Sequence, residues 1–504
     1  MKLKLPHSTQ NWLSVIGATI ALIALFMIIF LFVIASIFEQ QGSYLGLIVY
    51  ILLPAVMITG MILIPIGMVI TNRKLRRSKE KEQEYDDWPK IDLNDIRHRN
   101  AFFIFAIGTT IFLFLSAVGS YEAFHFTESV TFCGEICHGV MNPEYTAYQH
   151  SPHARVSCVD CHVGSGADWY VRSKLSGMYQ VYAVLANVYP KPVPTPIKNL
   201  RPARETCEEC HWPQKFYAQK LRLERHYLND EENTQWDIRL RMKIGADHSA
   251  LGLTEGIHWH INPGVQIDYI SADERHQNLP WVRYTNLETG ETVIYRDEDE
   301  SLEDSLITGE NIRRMDCMDC HNRPSHSYRP PAFFINEFIT AGEIPVELPE
   351  IKSLAMEICG EDFPSQDSAL TYIEMTVTDF YASRYPEISS DKFSLIEKAV
   401  TGIQTAFSEN IFPEMNVKWS AYPNNIGHLE FDGCFRCHND RHVNDAGEYI
   451  SKDCSVCHAI DAQGTTDDME IAEFNESLEF RHPVDIGEAW QETLCTECHT
   501  GLNP

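Results

Sequence analysis

The sequence is short of positive charge. Its 504 residues carry 41 Lys and Arg against 70 Asp and Glu, a formal net charge of −29. No basic face is available to neutralise phosphates, which excludes a nucleic-acid partner. Cysteines to spare for disulfides are also missing. Of the 15 cysteines, 14 fall in seven close pairs and only Cys359 stands alone, with a buried small apolar residue as its ordinary role. The first apolar run, Trp12 to Phe38, is far longer than a signal-peptide core and lacks a small-residue cleavage pattern at its end. It therefore reads as an uncleaved anchor.

Lys and Arg are absent from two further places, the short connection Glu39 to Ser43 and the stretch from Gly119 to Ala154. They gather instead at Lys2, Lys4 and nine positions from Arg73 to Arg99. Between these regions lie two more apolar runs, about Tyr44 to Ile70 and about Ala101 to Val118. The first two runs exceed the ~20 residues that span a bilayer and the third is near the lower limit. The positive-inside rule puts the N-terminus and the 71–100 loop in the cytoplasm and everything after the third run outside. In a bacterium with two membranes that means an inner-membrane protein with a periplasmic region.

Every close cysteine pair is followed at once by a histidine. The groups are Cys133, Cys137, His138; Cys158, Cys161, His162; Cys207, Cys210, His211; and Cys317, Cys320, His321. The remaining three are Cys434, Cys437, His438; Cys454, Cys457, His458; and Cys495, Cys498, His499. Six read Cys-x-x-Cys-His, the c-type haem attachment signature. The first, Cys133-Gly-Glu-Ile-Cys137-His138, has one extra residue. Two thiols hold the porphyrin and the adjacent histidine ligates the iron, so seven haems are expected. Attachment occurs outside the cytoplasm, in agreement with the charge-based topology.

Electron-transfer haems take a second axial ligand, whereas substrate-binding haems leave that position open. Fourteen histidines lie outside the motifs. His7 and His98 fall on the cytoplasmic side. His125, His150, His153, His226, His248, His258, His260, His276, His326, His428, His442 and His482 remain. The favoured distal set is His153, His258 or His260, His326, His428, His442 and His482. Met141 is a candidate thioether ligand for the first haem, or a packing methionine.

The expected fold is mainly α with much irregular structure: three N-terminal transmembrane helices, then a loop-rich heptahaem region with a small β insertion. Residues 1–120 form the membrane domain, 121–215 carry haems one to three, and 216–330 hold the β insertion and haem four. A helical segment covers 331–425, and 426–504 carry haems five to seven. Strands are expected at Gly264 to Ile270, Trp281 to Tyr284 and Thr292 to Tyr295, with a turn over Asn286 to Glu291. Amphipathic helices are expected at Ile373 to Tyr385 and Ser390 to Phe407.

Several stretches resemble the NapC/NirT family of membrane quinol dehydrogenases: Cys133 to Met141, Tyr145 to His162, Lys174 to Gly177, Arg201 to Cys207 and Gly256 to His260. This likeness covers roughly residues 100–215. The whole layout is similar to seven-haem inner-membrane cytochromes of metal-respiring bacteria. The resemblance implies oxidation of menaquinol at the outer membrane surface and transfer of electrons to periplasmic c-type cytochromes. It also implies a quinol site made by a lysine and an acidic residue, matched here by Lys174 and Asp168. Met141 follows His138 by three residues where the family usually has two. Rival readings are a relay subunit of a larger respiratory complex and a terminal multihaem reductase. The absence of Cys-x-x-Cys-Lys weighs against the reductase.

Overall fold

A computed structural model describes residues 11–37, 53–78, 92–136 in part, 138–164, 166–197, 201–216, 219–245, 256–300 and 302–502. The chain divides into two compact units, residues 1–129 with 162–179, and 130–161 with 180–504.

In the first unit, α1 (Trp12–Ile37) and α2 (Leu53–Ser78) are 26 residues each, about 39 Å at 1.5 Å per residue and enough to span a bilayer. They pack along small residues. A Cβ on Gly17 would lie 2.6 Å from the Gly60 carbonyl, and one on Gly60 would lie 2.7 Å from the Ala21 amide. Such close backbone approach holds helices together where water gives no hydrophobic drive. Asn11 caps α1 by accepting from the Ser14 amide at 2.8 Å, and the Ser14 hydroxyl donates across to the Ile64 carbonyl at 3.0 Å. α2 continues past Ile70 through Arg73, Lys74, Arg76 and Arg77. Residues 44–52 lie outside the described residues. So does most of the third run, in which Phe103, Ile107, Thr110, Ile111, Phe114 and Ala117 are helical.

The second unit contains α3 (His138–Gln149) and the later part of α4 (Ala167–Leu185). Two antiparallel sheets follow. The four-stranded sheet runs β1 (Gln219–Tyr227), β2 (Gln235–Lys243), β8 (His458–Gly464), β9 (Met469–Ile471). The five-stranded sheet runs β6 (Arg313–Arg314), β3 (Val265–Ile270), β4 (Trp281–Asn286), β5 (Thr292–Asp297), β7 (His442–Val443). The three expected strands are present, and the turn between β4 and β5 uses Gly290 at φ +75°, a left-handed conformation that glycine adopts without strain. The hairpin of β1 and β2 was not foreseen. Its alternation is legible after the fact: Lys220-Leu-Arg-Leu-Glu224 and Trp236-Asp-Ile-Arg-Leu-Arg-Met242 place apolar and charged residues at the strand period of two. Each sheet is completed by strands from the C-terminal segment, a long-range pairing that local patterns do not encode.

Residues 331–410 form a helical bundle of α5 (Pro331–Thr340), α6 (Ile351–Gly360), α7 (Gln366–Arg384) and α8 (Phe393–Asn410). Ile335, Leu348, Ile373, Val377, Ile403 and Phe407 are fully buried in its core. α7 begins seven residues before the expected Ile373, at a capping box formed by Ser365 and Ser368, which satisfies the orphan amides of the first turn. The chain end docks on this bundle. The Ala332 amide donates to the Gly501 carbonyl at 2.9 Å and the Trp419 indole to the Thr500 carbonyl at 3.2 Å.

Candidate functional site

The motifs fold as tight turns. Cys158–His162 and Cys317–Cys320 are single helical turns, while Gly433–Arg436, Cys454–Val456 and Cys495–Glu497 are 3-10 turns. In four motifs the histidine amide donates to the carbonyl of the first cysteine: His211 at 2.8 Å, His321 at 2.8 Å, His438 at 3.1 Å and His499 at 2.9 Å. The first motif forms a π turn over Phe132–Ile136. One inserted residue widens the helical hydrogen-bond ring by one position, so the long Cys133-x-x-x-Cys137 spacing is absorbed in the backbone. Cys137 and the His138 side chain lie outside the described residues. Met141 is half-buried on α3.

The thiols of successive motifs are neighbours. Cys133 and Cys158 share a hydrogen bond, as do Cys207 and Cys317; this pushes Cys158 and Cys207 well above the usual thiol range. Cys161 feels the charge of Cys210, Cys320 that of Cys434, Cys457 that of Cys434, and Cys495 that of Cys454. The seven motifs thus adjoin in chain order. Burial holds Cys320 up at about 12 and Cys457 at about 11.

Five motif histidines face a second histidine. Ring centres are 6.1 Å apart for His211 and His153, 6.3 Å for His321 and His258, and 5.8 Å for His438 and His260. They are 6.2 Å apart for His458 and His428, and 6.1 Å for His499 and His482. Two imidazoles on opposite sides of one metal, each with a nitrogen at ~2 Å and its ring centre roughly 1 Å farther, are separated by about 6 Å. The spacing therefore fits one iron between each pair. His258 and His260, offered by the sequence as alternatives, each face a different motif histidine.

Hydrogen bonds orient these rings. Nδ1 of His153 lies 3.1 Å from the Pro324 carbonyl, His258 3.2 Å from Ile244, His260 2.8 Å from Ile257, His438 2.9 Å from Ser451 and His482 2.8 Å from Val484. Such a bond to a carbonyl fixes the tautomer with its proton on Nδ1 and leaves Nε2 for a metal. His326 is held in the same way, its Nδ1 3.0 Å from the Glu144 carbonyl. His442 is different. Both nitrogens are engaged, Nδ1 by Asn439 Oδ1 at 3.0 Å and Nε2 by the Leu279 carbonyl at 2.7 Å. The favoured set therefore divides, because buried His442 has no free ring nitrogen to offer.

Among the other candidates, His125 packs on Tyr121, His150 lies 3.8 Å from Glu409 and His276 packs on Tyr269. Burial holds His226 down at about 4, and His248 lies outside the described residues.

Some contributors had no clear sequence signal. Phe216 contacts both His211 and His258, and Phe435 stacks on His428 at 4.3 Å. Arg436, inside the fifth motif, donates to the carbonyl of Asp319 inside the fourth at 2.7 Å. The Asp319 carboxylate accepts from the Tyr269 hydroxyl at 2.6 Å and from Arg313 at 2.8 Å. A charged residue between motif cysteines was the available clue.

Among the described residues no group of three or more His, Cys, Asp or Glu side chains converges to hold a bare metal ion. A haem needs only two axial ligands from the protein, because the macrocycle supplies the rest.

Asp168 and Lys174 both lie on α4, with Asp168 exposed and the Lys174 side chain outside the described residues. Val171, Leu175, Met178, Tyr182 and Leu185 are all exposed. At about 100° per residue these, with the likewise exposed Tyr179 and Val181, form one broad apolar stripe whose angular range includes Asp168.

Residues 96–192 match the N-terminal region of the NapC/NirT cytochrome c family. The chain is 43% identical over 489 residues to the cytochrome c-type protein ImcH of Geobacter sulfurreducens, covering 97% of this chain and 95% of that protein. It is 32% identical over 111 residues to the cytochrome c-type protein NrfH of Wolinella succinogenes, covering 21% of this chain and 61% of that protein. No solved structure matches the chain.

Proposed function

The chain belongs to the NapC/NirT family of multihaem membrane cytochromes c, and from that premise we propose that it is a seven-haem quinol dehydrogenase of the bacterial inner membrane. It oxidises menaquinol at the outer membrane surface, with its N-terminus cytoplasmic, and passes electrons to periplasmic c-type cytochromes. The observation that carries this reading is the set of five facing histidine pairs, each next to an attachment motif.

The seven cysteine pairs would hold the haems, and bound haem would supply a one-electron couple at each iron. His211 with His153, His321 with His258, His438 with His260, His458 with His428 and His499 with His482 would hold the irons of haems three to seven. His138 would hold the iron of haem one, with Met141 as its candidate partner. His162 would hold that of haem two. His326, oriented through Nδ1 by the Glu144 carbonyl, would serve a further iron.

The apolar stripe of α4 suits the membrane boundary, where quinol must be met because it dissolves in the bilayer. Lys174 donates a hydrogen bond to a quinol oxygen and Asp168 accepts a proton on the outer side. Facing pairs of histidines would leave those irons no open position, which favours electron transfer over a terminal reductase.

Stopped-flow mixing of the oxidised protein with a menaquinol analogue tests the reading. Rapid, inhibitor-sensitive reduction is expected, slowed about a hundredfold in Lys174→Ala with haem content unchanged. An unchanged rate in Lys174→Ala would remove the lysine from the site. If only dithionite reduced the parent protein, the chain would be a relay subunit needing a quinol-binding partner.

A further inference from the structure

The geometry points to the open edge of the four-stranded sheet, β9 and the loop after it, as the dock for a small soluble redox protein with a lysine-rich face. This inference rests on the electron-conduit reading and names where electrons leave and what receives them.

The edge carries exposed apolar groups that a lone surface would not favour. Ile471 is 73% exposed, with Met469 two residues before it on the same strand, and Phe474 in the loop after the strand is 93% exposed. β9 closes one end of the sheet, and among the described residues no strand lies beyond it. The platform beneath is built. Gln463 donates to the Glu479 carbonyl at 2.7 Å, Arg481 lies 5.0 Å over the Trp236 ring, and Arg481 bridges Asp468 and Glu470. A rigid apolar centre loses little conformational freedom on binding.

The position is the right one for an exit. β8, the partner of β9, begins at His458 of the sixth motif. The chain after Phe474 returns along β8, where the Leu478 amide donates to the Ile460 carbonyl at 2.9 Å. It then delivers His482 to His499 of the seventh motif. One hairpin thus bears the apolar edge and adjoins both terminal histidine pairs.

Charge selects the occupant. Residues 461–479 hold seven Asp and Glu and no Lys or Arg. Acidity also grows along the chain of motifs: residues 121–215 carry nine acidic against eight basic residues, and residues 426–504 carry 17 against four. An apolar centre with an acidic rim attracts a partner whose own contact surface is ringed by lysines, and speeds the encounter. A second copy of this chain and an anionic membrane are both repelled.

The test uses the full-length protein in detergent and a lysine-rich mitochondrial-type cytochrome c as probe, with its lysine-succinylated form as the charge-inverted control. Binding is measured at ~10 and ~150 mM salt, where the Debye length falls from about 30 to about 8 Å. The basic probe should bind at low salt, weaken at high salt, and lose about tenfold in affinity to Glu473→Lys/Glu476→Lys. Phe474→Ser should weaken binding at both salt levels. Glu374→Lys/Asp379→Lys on α7 makes the same change in net charge elsewhere and should leave affinity within about twofold. Equal losses in the two double variants, or equal binding of the succinylated probe, would overturn the dock. Menaquinol reduction is followed in the same samples. Its failure with edge-specific binding intact overturns the quinol reading and not the dock.

Discussion

A histidine becomes useful to an iron when one ring nitrogen is tied and the other is free. His258 and His260 meet that condition two residues apart, each held through Nδ1 by a backbone carbonyl and each facing a different motif histidine. His258→Ala and His260→Ala should each convert one haem, and not the same one, from low spin to high spin. Magnetic circular dichroism would resolve this, and loss of the same spectral component in both variants would contradict the pairing. His442→Ala should leave the low-spin count intact and reduce stability by about 1–3 kcal/mol, through the loss of two buried hydrogen bonds. The sequence narrowed the distal ligands to twelve histidines but could not separate His442 from the rest. Its neighbours Asn439 and Leu279 are brought to it only by the turn and by the five-stranded sheet.

At the scale of elements, the membrane pair depends on glycine. Gly60 brings α2 so close to α1 that any side chain there meets the Ala21 backbone. Gly60→Leu should force the helices apart, and Gly60→Ala should do so less. The measure is cross-linking in membranes between cysteines placed at Ser14 and Ile64, whose hydroxyl and carbonyl now touch at 3.0 Å. Undiminished cross-linking in Gly60→Leu would show that these glycines do not set the approach. The helix was legible as an apolar run, but its contact face was not, because α1 and α2 are apolar on most sides. The π turn of the first motif shows the converse case. The extra residue was plain in the sequence, and the backbone that accommodates it was not.

At the scale of the whole molecule, the bundle of α5 to α8 is tied to the seventh motif and to the β1–β2 turn. Lys352 sits in this junction without exposure, donating to Asn336 Oδ1 at 2.7 Å and to the Ala332 carbonyl at 3.2 Å, while Asn233 accepts its amide at 3.0 Å. Burial disfavours its charge and pulls its pKa down to about 7. The unfolded chain retains an ordinary lysine near 10.4. Between these values the unfolded state binds more protons, so stability rises with pH through about 7 to 10 and is lowest, as far as this group is concerned, below 7. Lys352→Met removes that dependence. The stability of the parent relative to this variant should therefore rise between pH 7 and 9, by up to about 1.4 kcal/mol per pH unit. Denaturant titrations followed by far-UV circular dichroism would show it, and parallel pH profiles would refute it.

What the sequence determined by itself is local and covalent. Attachment chemistry requires two thiols and a histidine within a few residues, so the seven motifs are complete as written. The expected membrane topology likewise rests on runs of apolar residues and on the distribution of lysine and arginine between them, both properties of short stretches. Tertiary structure alone decided which histidine faces which motif, because those partners are far apart in the chain. The carbonyl orienting His153 is 171 positions away and the one orienting His326 is 182 away. It also decided that β7, β8 and β9 of the C-terminal segment complete the sheets begun near Gln219 and Val265. Backbone groups in a strand need partners, and nothing in a strand's own residues names a partner two hundred positions on.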